Sequence, residues 1–162
     1  MSDAHGLAAA LTKEHREIDS GIEEFLAGAN AGEVRDEPLR TALAALRRHI
    51  YLEETFLFPP LRAAGLLMPI MVMLREHGAL WIAMDELETA LPDAADGSAA
   101  SAALLDQCRA LLTLLDQHNT KEEPVIYPRA DLDLDEAVHD DLADFLYAGR
   151  MPDGWVCETA GR

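Results

Sequence analysis

Apolar residues recur every three or four positions along most of the chain, which is the period of an amphipathic α-helix. In the first such stretch, at about residues 3–26, one face carries Leu7, Leu11, Ile18, Ile22 and Phe25. Three further stretches have the same period, at about residues 37–58, 69–91 and 98–123. We find no stretch in which apolar and polar residues alternate as they do in a half-buried strand. The pattern therefore predicts four long helices.

Glycines and prolines separate these stretches. Gly28 and Gly32 are expected to break the first helix, and Pro38 suits the first turn of the second. Pro59-Pro60 should end the second helix, and Pro124 should kink or end the fourth. A short helix at about residues 135–147 and an irregular tail follow. Four helices joined by short loops favour an all-α, up-down-up-down four-helix bundle.

The length of 162 residues favours a single domain over residues 1–162. We expect the four-helix core to occupy about residues 3–128, and the C-terminal helix and tail about residues 129–162. The helix and tail lie outside the four-helix unit. Capping an end of the bundle or forming a homodimer contact are two uses for them.

Polar residues interrupt the apolar faces at matched points. The segment His49-Ile50-Tyr51-Leu52-Glu53-Glu54-Thr55-Phe56-Leu57-Phe58-Pro59 reads His-x3-Glu-Glu-x3-aromatic-Pro, and the same pattern begins again at His118. Each copy has a further histidine upstream, in Lys13-Glu14-His15 and in Arg75-Glu76-His77. The repeat predicts two helical hairpins related by an approximate two-fold axis.

The repeated residues point into the predicted core. His49 and Glu53 are four residues apart and project from one helix face, as do His118 and Glu122. Hydrogen bonds alone would satisfy a lone buried histidine, but several buried imidazoles and carboxylates need a stronger partner. Metal ions supply it. The predicted ligands are His15, His49, Glu53, His77, His118 and Glu122.

Mixed imidazole and carboxylate ligands suit iron, manganese or zinc, whereas the lack of thiolates in the motif disfavours a cysteine-based site. Bundle cores built from Glu and His typically hold carboxylate-bridged di-iron pairs. We therefore expect two iron ions, as Fe2+ or Fe3+ and with an oxo or hydroxo bridge as one form. Manganese and zinc are the alternatives.

These motifs resemble the hemerythrin-like, or HHE cation-binding, domain over about residues 7–128. The resemblance implies a non-haem di-iron centre that reacts with O2, hydrogen peroxide or nitric oxide. It also implies that the six residues above are the ligands. The chain departs from the oxygen-carrying members, which have a second histidine four residues from the first on the third helix. Here position 81 is Trp and position 73 is Met.

Four histidines and two bridging glutamates leave open positions on both metals, so we expect a near-symmetric pair suited to oxidant chemistry or sensing. Candidate proton donors are Glu54, Glu123 and Tyr127. Tyr127 is expected to pack with its hydroxyl toward solvent or backbone. Glu54 and Glu123, like Glu14 and Glu76, either support the ligands or form salt bridges, and we favour salt bridges. The alternative function is a non-catalytic iron- or gas-sensing module, or iron storage and delivery.

The formal net charge of −17 argues against nucleic-acid and anionic-membrane partners, because both would repel the chain. The two cysteines, Cys108 and Cys157, form no CxxC pair, which favours a reducing cytoplasm. We see no signal peptide and no apolar stretch long enough to span a bilayer. The partners that we expect from the di-iron centre are the small oxidant and an unidentified electron donor.

Overall fold

A computed structural model describes residues 6–95 and 101–160 of the protein. The described residues form seven α-helices, in order: α1 Leu7–Asn30, α2 Glu37–Leu52, α3 Phe58–Ala63, α4 Leu67–Ala95, α5 Ala102–Val125, α6 Tyr127–Leu132 and α7 Glu136–Ala148. A π-helical turn, Glu53–Leu57, joins α2 to α3. Among the described residues there is no strand. The prediction of an all-α fold is therefore confirmed.

The four long helices pack as a bundle in which α1 contacts α2 and α5, and α4 contacts α5 and α2. The helices α1 and α2 approach each other closely at Gly21. A Cβ atom there would lie 2.8 Å from the Cβ of Ala42 and 2.9 Å from the carbonyl oxygen of Pro38. A glycine at this position therefore lets the two helices come together. The alternating direction of the four helices stays a prediction.

The core consists of two apolar clusters with a polar layer between them. One cluster contains Ile18 and Ile22 of α1 together with Leu80 of α4 and Leu115 of α5. The other contains residues toward the opposite end of the same helices: Leu7, Leu11, Ile70, Met73 and Ile126. Along each long helix the histidine falls between the two clusters. The apolar period thus positions a polar layer across the middle of the bundle.

The prolines act differently from our prediction at the end of the second helix. Pro59-Pro60 do not terminate the helical run, because they occupy the first turn of α3, where no backbone donor is needed. The π-helical turn resets the hydrogen bonds before them, with the Phe58 amide donating to the Glu53 carbonyl. Pro124 lies one residue before α5 ends at Val125, as predicted.

Other boundaries shift by a few residues. Gly28 stays inside α1, which continues to Asn30 and is followed by Gly32 at φ 86°. The helix α4 extends to Ala95, about four residues beyond the end that the apolar pattern predicted. The predicted first residues of the first and fourth helices, 3–5 and 98–100, lie outside the described residues. Helix α7 matches its prediction, and its cap Asp135 accepts a hydrogen bond from the Val138 amide at 2.9 Å.

The two short helices α3 and α6 were not predicted. Helix α6 supplies Asp131, whose carboxylate accepts hydrogen bonds from the amides of Leu7 and Ala8 at 2.9 and 3.1 Å. These amides are among the unpaired donors at the start of α1, so Asp131 satisfies the helix terminus from a distant part of the chain. The short helix α6, which follows Pro124, therefore stabilises the N-terminus of α1.

The C-terminal helix and tail pack along the side of the bundle. The Arg48 guanidinium donates to the carbonyls of Phe145, Leu146 and Gly149. Trp155 packs edge-on against Tyr51 and Trp81, with ring centroids 5.1 and 5.5 Å away. The tail residue Cys157 is buried against the bundle core, and neither cysteine forms a disulfide. A homodimer contact by this region stays a prediction.

One described segment, Leu67–Leu91 of α4, is long and apolar enough to cross a membrane by length and composition. This corrects our expectation that no apolar stretch reaches that length. In the structure Ile70, Leu80 and Leu91 are fully buried in the bundle core. A core helix meets the same criterion of length and apolarity as a membrane span, so the segment is weak support for one.

Candidate metal centre

The polar layer contains two groups of four side chains whose donor atoms all lie within 4.8 Å of one another. One group consists of His15, His49, Glu53 and Glu122, and the other of Glu53, His77, His118 and Glu122. Both glutamates belong to both groups. The structure therefore brings together all six residues that the sequence predicts as ligands, with both carboxylates shared between two pairs of histidines.

Each of the two shared carboxylates lies close to histidines of both groups. For Glu53, Oε2 lies 3.0 Å from Nε2 of His49, and Oε1 lies 3.0 Å from Nε2 of His77. For Glu122, Oε1 lies 3.3 Å from Nε2 of both His15 and His118. Both glutamate side chains are 0% exposed and the four histidines are at most 4% exposed. Every Nε2 atom thus faces the shared carboxylates inside a closed core.

The outer nitrogen of each histidine is held by another glutamate. Within each hairpin, Glu14 accepts from Nδ1 of His49 at 2.8 Å, and Glu76 accepts from Nδ1 of His118 at 2.9 Å. Between hairpins, Glu54 and Glu123 accept from Nδ1 of the remaining pair, His77 and His15, both at 2.7 Å. With Nδ1 donating to a carboxylate, Nε2 is the nitrogen that faces the centre, and it can ligate a metal once its proton is displaced.

These four glutamates are the part of the site that sequence reasoning assigned least well. Salt bridges are present for Glu14, with Arg48 at 3.2 Å, and for Glu76, with Lys121. The partners of Glu54 and Glu123 are instead the two histidines of the opposite hairpins. The signal in the sequence is that each glutamate adjoins a ligand in both copies. Adjacent residues point in different directions, so the second acid of each pair reaches a different helix.

The charges in the layer stabilise one another. Burial alone lowers the pKa of His49, but the Glu53 carboxylate and the hydrogen bond to Glu14 outweigh it and raise that pKa to about 10. The pKa of His118 is also about 10, because Glu122 and Glu76 outweigh its burial. Burial raises the pKa of Glu53, yet His49 and His77 hold it well below its usual range. A metal cation entering the layer must therefore displace protons.

Tyr127 differs from our prediction. Its side chain is buried, and its hydroxyl points into the site rather than toward solvent or backbone. The oxygen lies 2.6 Å from Glu53, 2.8 Å from His15, 2.9 Å from His49 and 3.1 Å from Glu122. The turn at Ile126 and the start of α6 at Tyr127 turn the ring inward. The signal that could have located it is the Tyr/Phe difference between the two motif copies.

Several buried polar atoms of the layer have no hydrogen-bond partner among the described residues. They are Nε2 of His77, Oε1 of Glu53 and Oε2 of Glu122; the first two lie 3.0 Å apart but do not have the geometry of a hydrogen bond. A buried nitrogen or oxygen without a partner is costly, and buried polar groups are usually satisfied. Two of these atoms, Nε2 of His77 and Oε1 of Glu53, face each other in the group around His77 and His118, and the third belongs to a carboxylate that both groups share. Their lone pairs fit a metal ion, which would satisfy them together.

A helical bundle whose core carries four imidazoles around two shared carboxylates has the fold and donor set of a metal-binding helical domain. The hemerythrin HHE cation-binding domain matches residues 6–130 of this chain. The chain therefore belongs to the hemerythrin HHE cation-binding family, and the resemblance in its motifs is confirmed. No curated protein and no solved structure is significantly similar to it.

The outer glutamates lead to a first prediction. Glu54→Gln is expected to weaken metal binding by about 10–100-fold, because the amide no longer fixes the tautomer and orientation of His77. The equivalent change, Glu123→Gln, should cost less, since Glu123 is 35% exposed and Glu54 only 6%. Competition with a coloured chelator measures both affinities. Glu17→Gln, on the exposed face of α1, is the control, and equal affinities in all four proteins would contradict the prediction.

Proposed function

We propose that this chain is a non-haem di-iron protein that binds or reacts with a small oxidant, namely O2, hydrogen peroxide or nitric oxide. The observation that carries the proposal is the pair of buried four-residue groups that share Glu53 and Glu122. Two ions held by common carboxylates can change oxidation state together, because the shared ligands keep them at a fixed spacing. An up-down-up-down order of the four long helices, consistent with their contacts, is part of the proposal.

The donor set favours iron. Each group offers two imidazoles and two carboxylates, a mixture that suits iron, manganese or zinc. Neither group contains a cysteine. Burial raises the pKa of Cys108 to about 11 and that of Cys157 to about 12, which keeps both thiols protonated and poor as ligands. Manganese and zinc remain the alternatives to iron.

The protein environment suits a small, uncharged reactant. Apolar clusters lie on both sides of the polar layer, so water is excluded and bulky substrates cannot enter. Iron, when bound, would supply the electrons and the coordination position for the oxidant. Glu53 and Glu122 would hold both ions, and the outer glutamates would keep each Nε2 directed at them. Of the three candidate proton donors, Tyr127 has its acidic atom inside the site, whereas Glu54 and Glu123 face the outer nitrogens.

A second candidate function is non-catalytic sensing of iron or of a gas. The backbone amide of Glu158 in the tail donates to Oε1 of Glu54 at 3.0 Å, and Oε2 of the same carboxylate accepts from His77. A change at the metal end of His77 would therefore act on the tail through one carboxylate. Iron storage or delivery has no comparable observation in its favour. The acidic charge and the two free cysteines support a cytoplasmic location. A reactive centre would also need an electron donor as a partner.

Metal analysis together with peroxide addition tests the proposal. Protein loaded anaerobically with Fe2+ and desalted should contain two irons per chain, and oxidation should produce near-ultraviolet bands of an oxygen-bridged pair. Rapid consumption of added hydrogen peroxide would favour an enzyme, and a reversible spectral change without turnover would favour a sensor. Folded protein that takes up no iron, manganese or zinc would overturn the proposal.

A further inference from the structure

The two ends of the polar layer differ at one repeated position. Tyr127 and Phe58 are equivalent in the two motif copies, and both side chains are 1% exposed. Each ring lies against a histidine of the other hairpin: Tyr127 at 5.3 Å from His15, and Phe58 at 5.4 Å from His77. The two aromatic residues thus exchange places across the layer. Only the tyrosine brings an oxygen atom with it.

The Tyr127 hydroxyl has more hydrogen-bonding neighbours than one hydroxyl group can satisfy. Four of the potential metal-ligating atoms of the first group lie within 3.1 Å of this one oxygen. Two are imidazole nitrogens and two are carboxylate oxygens. A phenol has one proton to donate. With the Nδ1 atoms of His15 and His49 donating outward and any Nε2 proton displaced, as metal binding requires, all four neighbours are acceptors, so the single phenol proton would have to serve four of them. Such convergence of acceptors on one point is the arrangement that a cation requires.

We propose that Tyr127 is a fifth protein ligand of the metal ion held by His15 and His49. This inference rests on the proposed function, because it needs a metal in the first group. On binding, the O–H bond breaks, an oxygen–metal bond forms, and the proton leaves to solvent through the neighbouring carboxylates. No oxidation state changes. The phenolate adds a negative charge, so it favours the higher oxidation state of that ion. Once bound it has no proton to donate, which leaves Glu54 and Glu123 as the candidate proton donors.

The second group has no equivalent donor. The Phe58 ring stacks on His77 at an interplanar angle of 21° and offers no lone pair. Two of the three partnerless atoms described above, Nε2 of His77 and Oε1 of Glu53, lie in this group. A surface cavity of about 290 Å³ also approaches here, lined by Glu54, Phe58, Pro59, Arg62, Leu74 and Glu158. The metal held by His77 and His118 is therefore the one with the free position, and the small ligand binds there.

This assignment replaces the near-symmetric pair that the ligand count alone suggests. One ion has five protein donors and the other has four, although the ligands themselves repeat. The asymmetry comes from a single atom, the hydroxyl oxygen of Tyr127. The oxidant therefore binds to the metal whose copy of the aromatic position is phenylalanine, because phenylalanine supplies no oxygen ligand.

The test uses the full chain loaded with two ferric irons and reads the phenolate directly. A tyrosinate bound to Fe3+ gives a visible charge-transfer band and enhanced tyrosine vibrations in resonance Raman spectra. We expect both in the native protein and their loss in Tyr127→Phe, with both irons retained. Tyr51→Phe is the matched control and should keep the band, because Tyr51 packs against Phe56 and Trp155 outside the site.

Phe58→Tyr provides the converse experiment. It should roughly double the phenolate band and weaken binding of azide, used as a small anionic probe, by at least about tenfold, since the new oxygen takes the free position. Tyr127→Phe should retain azide binding at the second metal. Protein with two irons and no phenolate signal would overturn this inference and leave the di-iron function standing. A chain that binds no metal would overturn both.

Discussion

Replacement of Glu53 with glutamine is expected to reduce the metal content from two ions per chain to one at most. The two carboxylate oxygens of Glu53 approach histidines of both groups, at 3.0 Å from His49 and 3.0 Å from His77. An amide is uncharged and a weak donor, so each ion loses a ligand and the pair loses a bridge. The affinity of any remaining site should fall by more than the roughly 10–100-fold that loss of an outer hydrogen bond costs.

Elemental analysis of folded, desalted protein measures this loss. Glu122→Gln should behave like Glu53→Gln, because Glu122 is the other shared carboxylate. The control is Glu86→Gln, since Glu86 is a glutamate of α4 that is exposed to solvent. Circular dichroism on the same samples separates loss of metal from loss of fold. Two tightly held ions in either core variant would show that the carboxylates do not bridge, and would leave the metals bound to the histidines alone.

A second large effect is expected from pH, and its sign depends on whether metal is bound. Without metal, the raised pKa values of His49 and His118, both about 10, favour the folded state. That stabilisation is complete below pH 6.5, the ordinary histidine value, and is lost as the pH rises toward 10. The lowered pKa of Glu53 stabilises the fold above pH 4.5, and this contribution disappears on acidification. Maximum stability without metal therefore lies between about pH 4.5 and 6.5.

With metal bound, the slope above pH 6.5 should reverse. Each imidazole must lose its proton before it can ligate, so a rise in pH strengthens metal binding and the stability linked to it. Chelator-treated protein should lose about 1.4 kcal/mol per pH unit for each such histidine, whereas loaded protein should gain stability or hold it. Urea unfolding at pH 6.5, 7.5 and 8.5 compares the two forms. His118→Gln should reduce the slope of the metal-free protein by about one proton, and parallel slopes for the two forms would contradict the prediction.

Much of the fold follows from the sequence, because the apolar period is long and strong. The faces that contain Leu7, Leu11 and Ile18, or Leu104 and Leu111, are regular enough to define the helices and the side that each buries. The spacing of four residues between His49 and Glu53 places both on one face. The duplication then predicts that two such pairs meet, and the structure brings them together.

The remaining features depend on the relative rotation and height of the helices, which periodicity does not define. The pairing of Glu54 with His77 and of Glu123 with His15 crosses between hairpins, so it cannot be read from spacing within one helix. The direction of the Tyr127 hydroxyl depends on the turn at Ile126 and on the short helix after it. Prolines predict ends of helices, but here a π-helical turn lets the helical run continue past Pro59.

The exchange of aromatic residues across the polar layer bears on how such a chain could evolve. Suppose that one hairpin once paired with an identical copy of itself about a two-fold axis between the metals. Symmetry would then have required the same residue at positions 58 and 127. Both ions would have had a tyrosine ligand, or both would have had a free coordination position beside phenylalanine. Only fusion of the two copies into one polypeptide frees these positions to diverge. Covalent linkage thereby permits one ion to be shielded while its neighbour stays accessible. A symmetric dimer of identical hairpins could not have had two such different metal positions.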